Sequence, residues 1–153
     1  MKIGVPLEPE GETRVAIVPG SMKKLHKAGF EVLVEKGAGT AANYSDSEYT
    51  DAGASIGSRK EVMSCDIVIS IRLPDTSELS KGQIVACVAD PFRHPDKVQA
   101  CIDGGVTLMS MDMIPRRLSR AQSMDVNSSQ DNLAGYKAVL LGAAHVPRGI
   151  PMM

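Results

Sequence analysis

Three times along the chain a short amphipathic stretch stops at a glycine and a β-branched run follows. Residues 19–28 place Met22, Leu25 and Ala28 on one helical face, stop at Gly29, and lead into Phe30-Glu31-Val32-Leu33-Val34. Residues 47–52 stop at Gly53 before Ala54-Ser55-Ile56, and residues 95–102 stop at Gly104-Gly105 before Val106-Thr107-Leu108. Glycine just past a helix end takes the left-handed conformation without a Cβ clash. Pro19 and Pro95 sit where a first helical turn tolerates a missing N–H. Ile3-Gly4-Val5, Asp66 to Ile71 and Ile84 to Val88 read as further strands, and the last two are nearly continuous apolar runs, as strands covered on both faces must be. Strands alternating with helices predict right-handed βαβ units and a mostly parallel sheet.

The expected fold is therefore α/β, an open doubly wound sheet of the Rossmann or flavodoxin-like kind. The last third has a different pattern. A polar, turn-rich segment from Ile114 to Ser123 precedes a long helical pattern from about Asp125 to His145. In that helix Leu133, the stem of Lys137, Leu140 and Ala144 share a stripe, with Tyr136 and Val139 beside it. At ~1.5 Å per residue the helix runs about 30 Å, the width of a small domain. Residues 1–146 read as a single domain, and 147–153 as a linker cut short, with no second Rossmann domain after it.

Composition narrows the picture. The 153 residues carry 17 Lys+Arg against 18 Asp+Glu, a net charge of −1, which lacks the basic face a nucleic-acid binder needs. No apolar run approaches the ~18 residues of a membrane span, and the opening MKIGVP is already strand-like rather than an export signal. Aromatic residues are few and Trp is absent, so Val, Ile, Leu, Ala and Met must fill the core. Cys65, Cys87 and Cys101 are widely spaced and odd in number, which predicts free thiols rather than a disulfide frame or a metal site.

Three places carry candidate chemistry. Gly37-Ala38-Gly39-Thr40-Ala41-Ala42 fits a dinucleotide fingerprint in outline, but Gly57-Ser58-Arg59 stands where the acidic partner about 20 positions on is needed, and no helix starts at once. A tight structural loop is the expectation. Arg14, just past the first strand, is placed either to meet a carboxylate or phosphate beyond the strand ends or to pair with Glu8 or Glu12. The richest segment holds Arg117, Arg120, Gln122, Asp125, Ser128 and Gln130 at a helix N-terminus. Its donors and acceptors can grip a carboxamide or a ribose, and equally read as a capped helix start beside a solvated loop. The density of polar groups there predicts a mobile loop. His26, His94 and His145 lie in no nucleophile motif and have no metal-ligand spacing.

Several stretches together resemble one family. They are Lys2-Ile3-Gly4-Val5-Pro6, Glu12-Thr13-Arg14-Val15-Ala16, Val34 to Gly39, Pro115 to Asp125 with its Ser119-Arg120-Ala121-Gln122-Ser123-Met124-Asp125 core, Ser128-Ser129-Gln130 and Asn132 to Ala138. Over essentially its whole length the chain resembles the N-terminal domain of the alanine dehydrogenase/transhydrogenase family, on the side of the alpha subunit of proton-translocating NAD(P) transhydrogenase. Alanine dehydrogenases carry a lysine and a histidine at the positions matching Arg72 and Asp90. Arg72 can hold a carboxylate, but an aspartate does not replace a base tuned near neutral pH, so alanine dehydrogenase activity is not expected.

The resemblance implies part of an NAD(H)-binding component that passes a hydride directly to NADP(H), coupled to proton translocation through other subunits. It implies that Arg117, Gln122 and Asp125 orient the nicotinamide, with Ser123, Met124 and Ser128 in the cofactor site, and that no protein group donates the hydride. It further implies a cytoplasmic homodimer, peripheral on the inner membrane through partner subunits, with no insertion of its own. The remaining partners are an NAD Rossmann domain, a membrane part and an NADP-binding part, without which weak or absent NAD(H) binding and no activity are expected. The alternatives are a stand-alone binding or dimerisation module and, behind it, an alanine dehydrogenase fragment. Asn127 stands where the family usually has a leucine, which would cost about 2–3 kcal/mol if buried, and Asp131 stands where a small residue is usual.

Overall fold

The computed structural model describes residues 1–147, and the chain divides into two compact units, Met1–Met111 and the segment from Asp112 onward. The linker expected at 147–153 lies, beyond Pro147, outside the described residues. The first unit holds six strands, β1 (Lys2–Val5), β2 (Glu31–Glu35), β3 (Ser55–Gly57), β4 (Ile67–Arg72), β5 (Ile84–Val88) and β6 (Thr107–Ser110). They form one sheet in the order β3-β2-β1-β4-β5-β6, and every pairing is parallel. The order reverses between β1 and β4, the point at which open α/β sheets form a crevice beyond the strand ends.

Helices α1 (Met22–Lys27), α2 (Asp46–Asp51), α3 (Arg59–Met63) and α4 (Pro95–Asp103) connect the strands, and α1, α2 and α4 fall where the repeated helix–glycine–strand pattern predicts them. Two differences from that pattern have physical causes. Pro19–Ser21 forms a 3-10 turn before α1 rather than its first turn, with the Ser21 N–H bonded to the Val18 carbonyl. Helix α3 is too short for periodicity to show, and a capping box starts it: Ser58 accepts from the Glu61 N–H while the Glu61 carboxylate accepts from the Ser58 N–H.

One core cluster is built on Ile3, Val5, Val32, Val34, Met22 and Tyr49, and another on Met63, Val68, Val85, Cys87 and Ala89. Gly4 lets α3 rest on β1, since a Cβ there would collide with the Val62 carbonyl oxygen. Cys65, Cys87 and Cys101 are each buried, and no disulfide joins any of them among the described residues.

The second unit consists of turns followed by α5 (Val126–His145). The helix begins where the sequence pattern places it, with Asp125 as its N-cap, yet no residue along it is buried. Leu133, Tyr136, Val139 and Leu140 all stand exposed.

Candidate functional site

The glycine-rich loop after β2 is a packing device. Gly37 N–H donates to Asp46 Oδ1 at 2.9 Å, and Thr40–Ala42 close a 3-10 turn ending at Asn43 with φ 63°. Gly39 sits so close to Tyr49 and Tyr44 that a Cβ would lie 2.6 Å from Tyr49 Cε2. Tyr49 is fully buried, donates its hydroxyl to the Ile17 carbonyl at 2.8 Å, and meets Tyr44 edge to face. A carboxylate on the loop amide and a tyrosine against the second glycine leave the loop in the structural role expected of it.

The segment after β1 crosses the sheet at its reversal point and is tied down along its length. Leu7 N–H donates to Glu35 Oε2 at 2.8 Å, and Leu7 O accepts from Arg59 Nη1 at 3.2 Å. The buried Glu8 carboxylate accepts from the backbone N–H of Ile71 at 2.5 Å and of Arg72 at 3.0 Å, where the β4–β5 register shifts. Its backbone donors stabilise the anion, but burial outweighs them and pushes the carboxyl above its usual range. Arg14 pairs with Glu12, one of the two partners the sequence offers it, and Arg72 Nε lies 3.3 Å from the same carboxylate. A cavity of about 380 Å³ opens here, between Leu7, Pro9, Arg59, Arg72, Leu73 and Pro74. Glu12 already occupies both Arg14 and Arg72, so an external carboxylate would have to displace it. Asp90, just past β5, has φ 47°, and its Oδ2 lies 3.6 Å from Arg93 Nε.

The second unit carries the polar segment. Consecutive turns run along it, with Leu118 N–H bonded to Pro115 O, Ala121 N–H to Leu118 O and Met124 N–H to Ala121 O. Gln122, Ser123 and Met124 form a 3-10 turn with all three side chains exposed, and Ser123 Oγ donates to Arg120 O at 3.3 Å. Asp125 follows as the cap of α5: Oδ1 accepts from Ser128 N–H at 2.9 Å and Oδ2 from Ser128 Oγ at 2.6 Å. The Ser128 bonds, together with the Arg116 charge, hold its carboxyl below the usual range.

Gln122, Ser123, Met124, Asp125 and Ser128 are thus gathered at one helix start, while Arg117 projects from the 115–118 turn into solvent. The guanidinium that reaches Asp125 belongs to its neighbour. Arg116 Nε lies 3.7 Å from Asp125 Oδ2, and Arg116 Nη2 donates to Asp131 Oδ2 at 3.1 Å. Nothing in the residue types separates Arg116 from Arg117, so only the geometry of the turn reveals the partner. The half-buried Asn127 carries its own compensation, donating from Nδ2 to Asp112 O at 3.1 Å.

Chemically, this helix start is an acceptor-rich site. A carboxylate already sits on the α5 N-terminal amides, so the site disfavours a phosphate and suits groups that present N–H or O–H donors. Gln122 adds both a donor and an acceptor within the same turn. Among the described residues no helix is long and apolar enough to cross a membrane.

Residues 4–134 match the family described as alanine dehydrogenase/PNT, N-terminal domain. The chain is 42% identical over its full length to the first segment of NAD(P) transhydrogenase subunit alpha from Rhodospirillum rubrum, covering 42% of that protein. It is 40% identical over 92% of its length to NAD(P) transhydrogenase subunit alpha of Cereibacter sphaeroides, covering 28% of that protein. A crystal structure of transhydrogenase from Sinorhizobium meliloti superposes over the whole chain with a TM-score of 0.93 at 38% identity, and the match covers 47% of that chain. The chain therefore spans less than half the length of each of these relatives.

Proposed function

The chain belongs to the alanine dehydrogenase/transhydrogenase N-terminal domain family, and from that premise we propose that it is part of the NAD(H)-binding component of a proton-translocating NAD(P) transhydrogenase. In this reading the helix start at Asp125 orients the nicotinamide of NAD(H) for direct hydride transfer to NADP(H). The supporting observation is the clustering of Gln122, Asp125 and Ser128 at one cap, where the Asp125 carboxylate accepts from Ser128 N–H and Oγ. A nicotinamide carboxamide and a ribose offer such donors. The Asp125 carboxylate exchanges a Ser128 bond for a ligand N–H or O–H, Gln122 pairs with the amide, and exposed Arg117 borders the site.

The cofactor supplies the hydride. The chain's own residues bind, orient and hold charge, and positioning of this kind lowers a barrier by several kcal/mol without any protein group joining the chemistry. Most of the dinucleotide is held by the downstream part of the protein in this account, so the chain by itself binds NAD(H) weakly. An NMR titration of the isotopically labelled chain with NADH tests this. Amide shifts centred on residues 117–128, unsaturated at low millimolar nucleotide, support it. Shifts centred on Gly37–Ala42, or none at all, contradict it.

A second reading rests on α5. A helix exposing Leu133, Tyr136, Val139 and Leu140 together presents the apolar surface of an interaction element. That favours a homodimer or docking to the other transhydrogenase parts, and sedimentation of the chain alone and with its complementary part separates the two.

A further inference from the structure

The segment 112–125 has little apolar anchorage. Met113, Leu118 and Met124 are exposed, and Ala121 is its buried side chain. Ordering such a segment costs chain entropy that apolar burial here does not offset. Two polar ties take its place. Asp112 O accepts from Asn127 Nδ2, and Arg116 donates to Asp131 while facing Asp125. Positions 112 and 116 are four apart, as are 127 and 131, so both ties meet one face of α5. Arginine suits this place because its planar fork engages two carboxylates at once, whereas a lysine is a single point charge. Arg116 Nε also lies 3.7 Å from Asp125 Oδ2, the oxygen that accepts from Ser128 Oγ, so the cap carboxylate has an ion-pair partner besides its Ser128 bonds.

We propose that Arg116 is a positioning residue which, with Asp131 and Asn127, staples residues 112–125 to the first turns of α5 and holds Asp125 and Gln122 in place before any ligand arrives. The contacts stand on the geometry alone; the purpose assigned to them rests on the nicotinamide reading above. In place of the mobile loop that its polar composition predicts, the segment is then ordered through charge.

Amide hydrogen exchange on the 153-residue chain tests the staple, comparing wild type with Arg116→Ala, Asp131→Ala, the double variant and Arg116→Lys. Exchange over 114–124 should rise about threefold in Arg116→Ala, the fold-change an exposed ion-pair network carries, while β4 and β5 stay unchanged. The double variant should exchange no faster than the faster single variant, as two residues acting through one contact require. Arg116→Lys should restore part of the protection, keeping the charge but not the fork. Unchanged exchange in Arg116→Ala, additive effects in the double variant, or no recovery with lysine overturns the proposal. The NADH titration is read alongside. An Arg116-dependent segment with no NADH-induced shifts at 117–128 supports the staple and sinks the nicotinamide reading. Shifts there with no Arg116 effect on exchange overturn the staple and keep that reading.

Discussion

The Arg14 guanidinium grips the Glu12 carboxylate through two hydrogen bonds, Nε to Oε1 at 2.7 Å and Nη2 to Oε2 at 2.6 Å. This grip, against a smaller opposing effect of burial, draws the Glu12 carboxyl from its ordinary 4.5 down to about 2. A depressed carboxyl stabilises the fold above its unfolded value and loses that contribution as pH falls through its folded value. Glu12→Gln should therefore cost about 1 kcal/mol at neutral pH, reduced from the full linkage because Arg14 remains partly in water. Urea unfolding should show that deficit above about pH 4.5 and its disappearance toward pH 2.

Glu8 should behave with the opposite sign. Burial raises its carboxyl above 4.5, so its contribution is complete below 4.5 and lost as pH rises through the raised folded value. Wild type should gain stability relative to Glu8→Gln on acidification from neutrality toward that range, as read by thermal melts across pH. Glu8→Ala removes the acceptor for both the Ile71 and Arg72 N–H groups and should cost about 3 kcal/mol.

Gly39 and Tyr49 form a close pair in which neither tolerates change. Gly39→Ala drives a methyl against the Tyr49 ring and the Tyr44 carbonyl and should cost about 2–3 kcal/mol. Tyr49→Phe loses the bond to Ile17 O and should cost about 1 kcal/mol. Chemical denaturation measures both, and an unchanged midpoint in Gly39→Ala would mean that the loop is looser than described.

The parallel sheet was legible because its evidence is local. Residues 84–88 form a continuous apolar run in the sequence and are β5 in the structure. Helix α3 was not legible, since its five residues hold only Val62 and Met63 as buried anchors, too few to reveal a period. The cap at Asp125 could be read because Asp and Ser three apart before a helical run carry their own mechanism. Its partner could not be read, because Arg116 and Arg117 differ only in where a turn points them. The Tyr49–Ile17 bond spans 32 residues, and no short-range pattern announces it. The stripe on α5 was visible as a pattern, but burial depends on what lies against it, and along α5 nothing is buried.

Hydride transfer in a reconstituted mixture tests the central claim most directly. The chain is combined with the part of a transhydrogenase alpha subunit that it does not cover and with the NADP(H)-binding component. Reduction of an NADP analogue by NADH is then followed with and without Gln122→Ala and Asp125→Asn. The account predicts transfer only when the chain is present, and a fall of about a hundredfold in rate for each variant, the scale of a misplaced reacting group, with NADH affinity little changed. Transfer at the same rate without the chain, or with both variants, would contradict it.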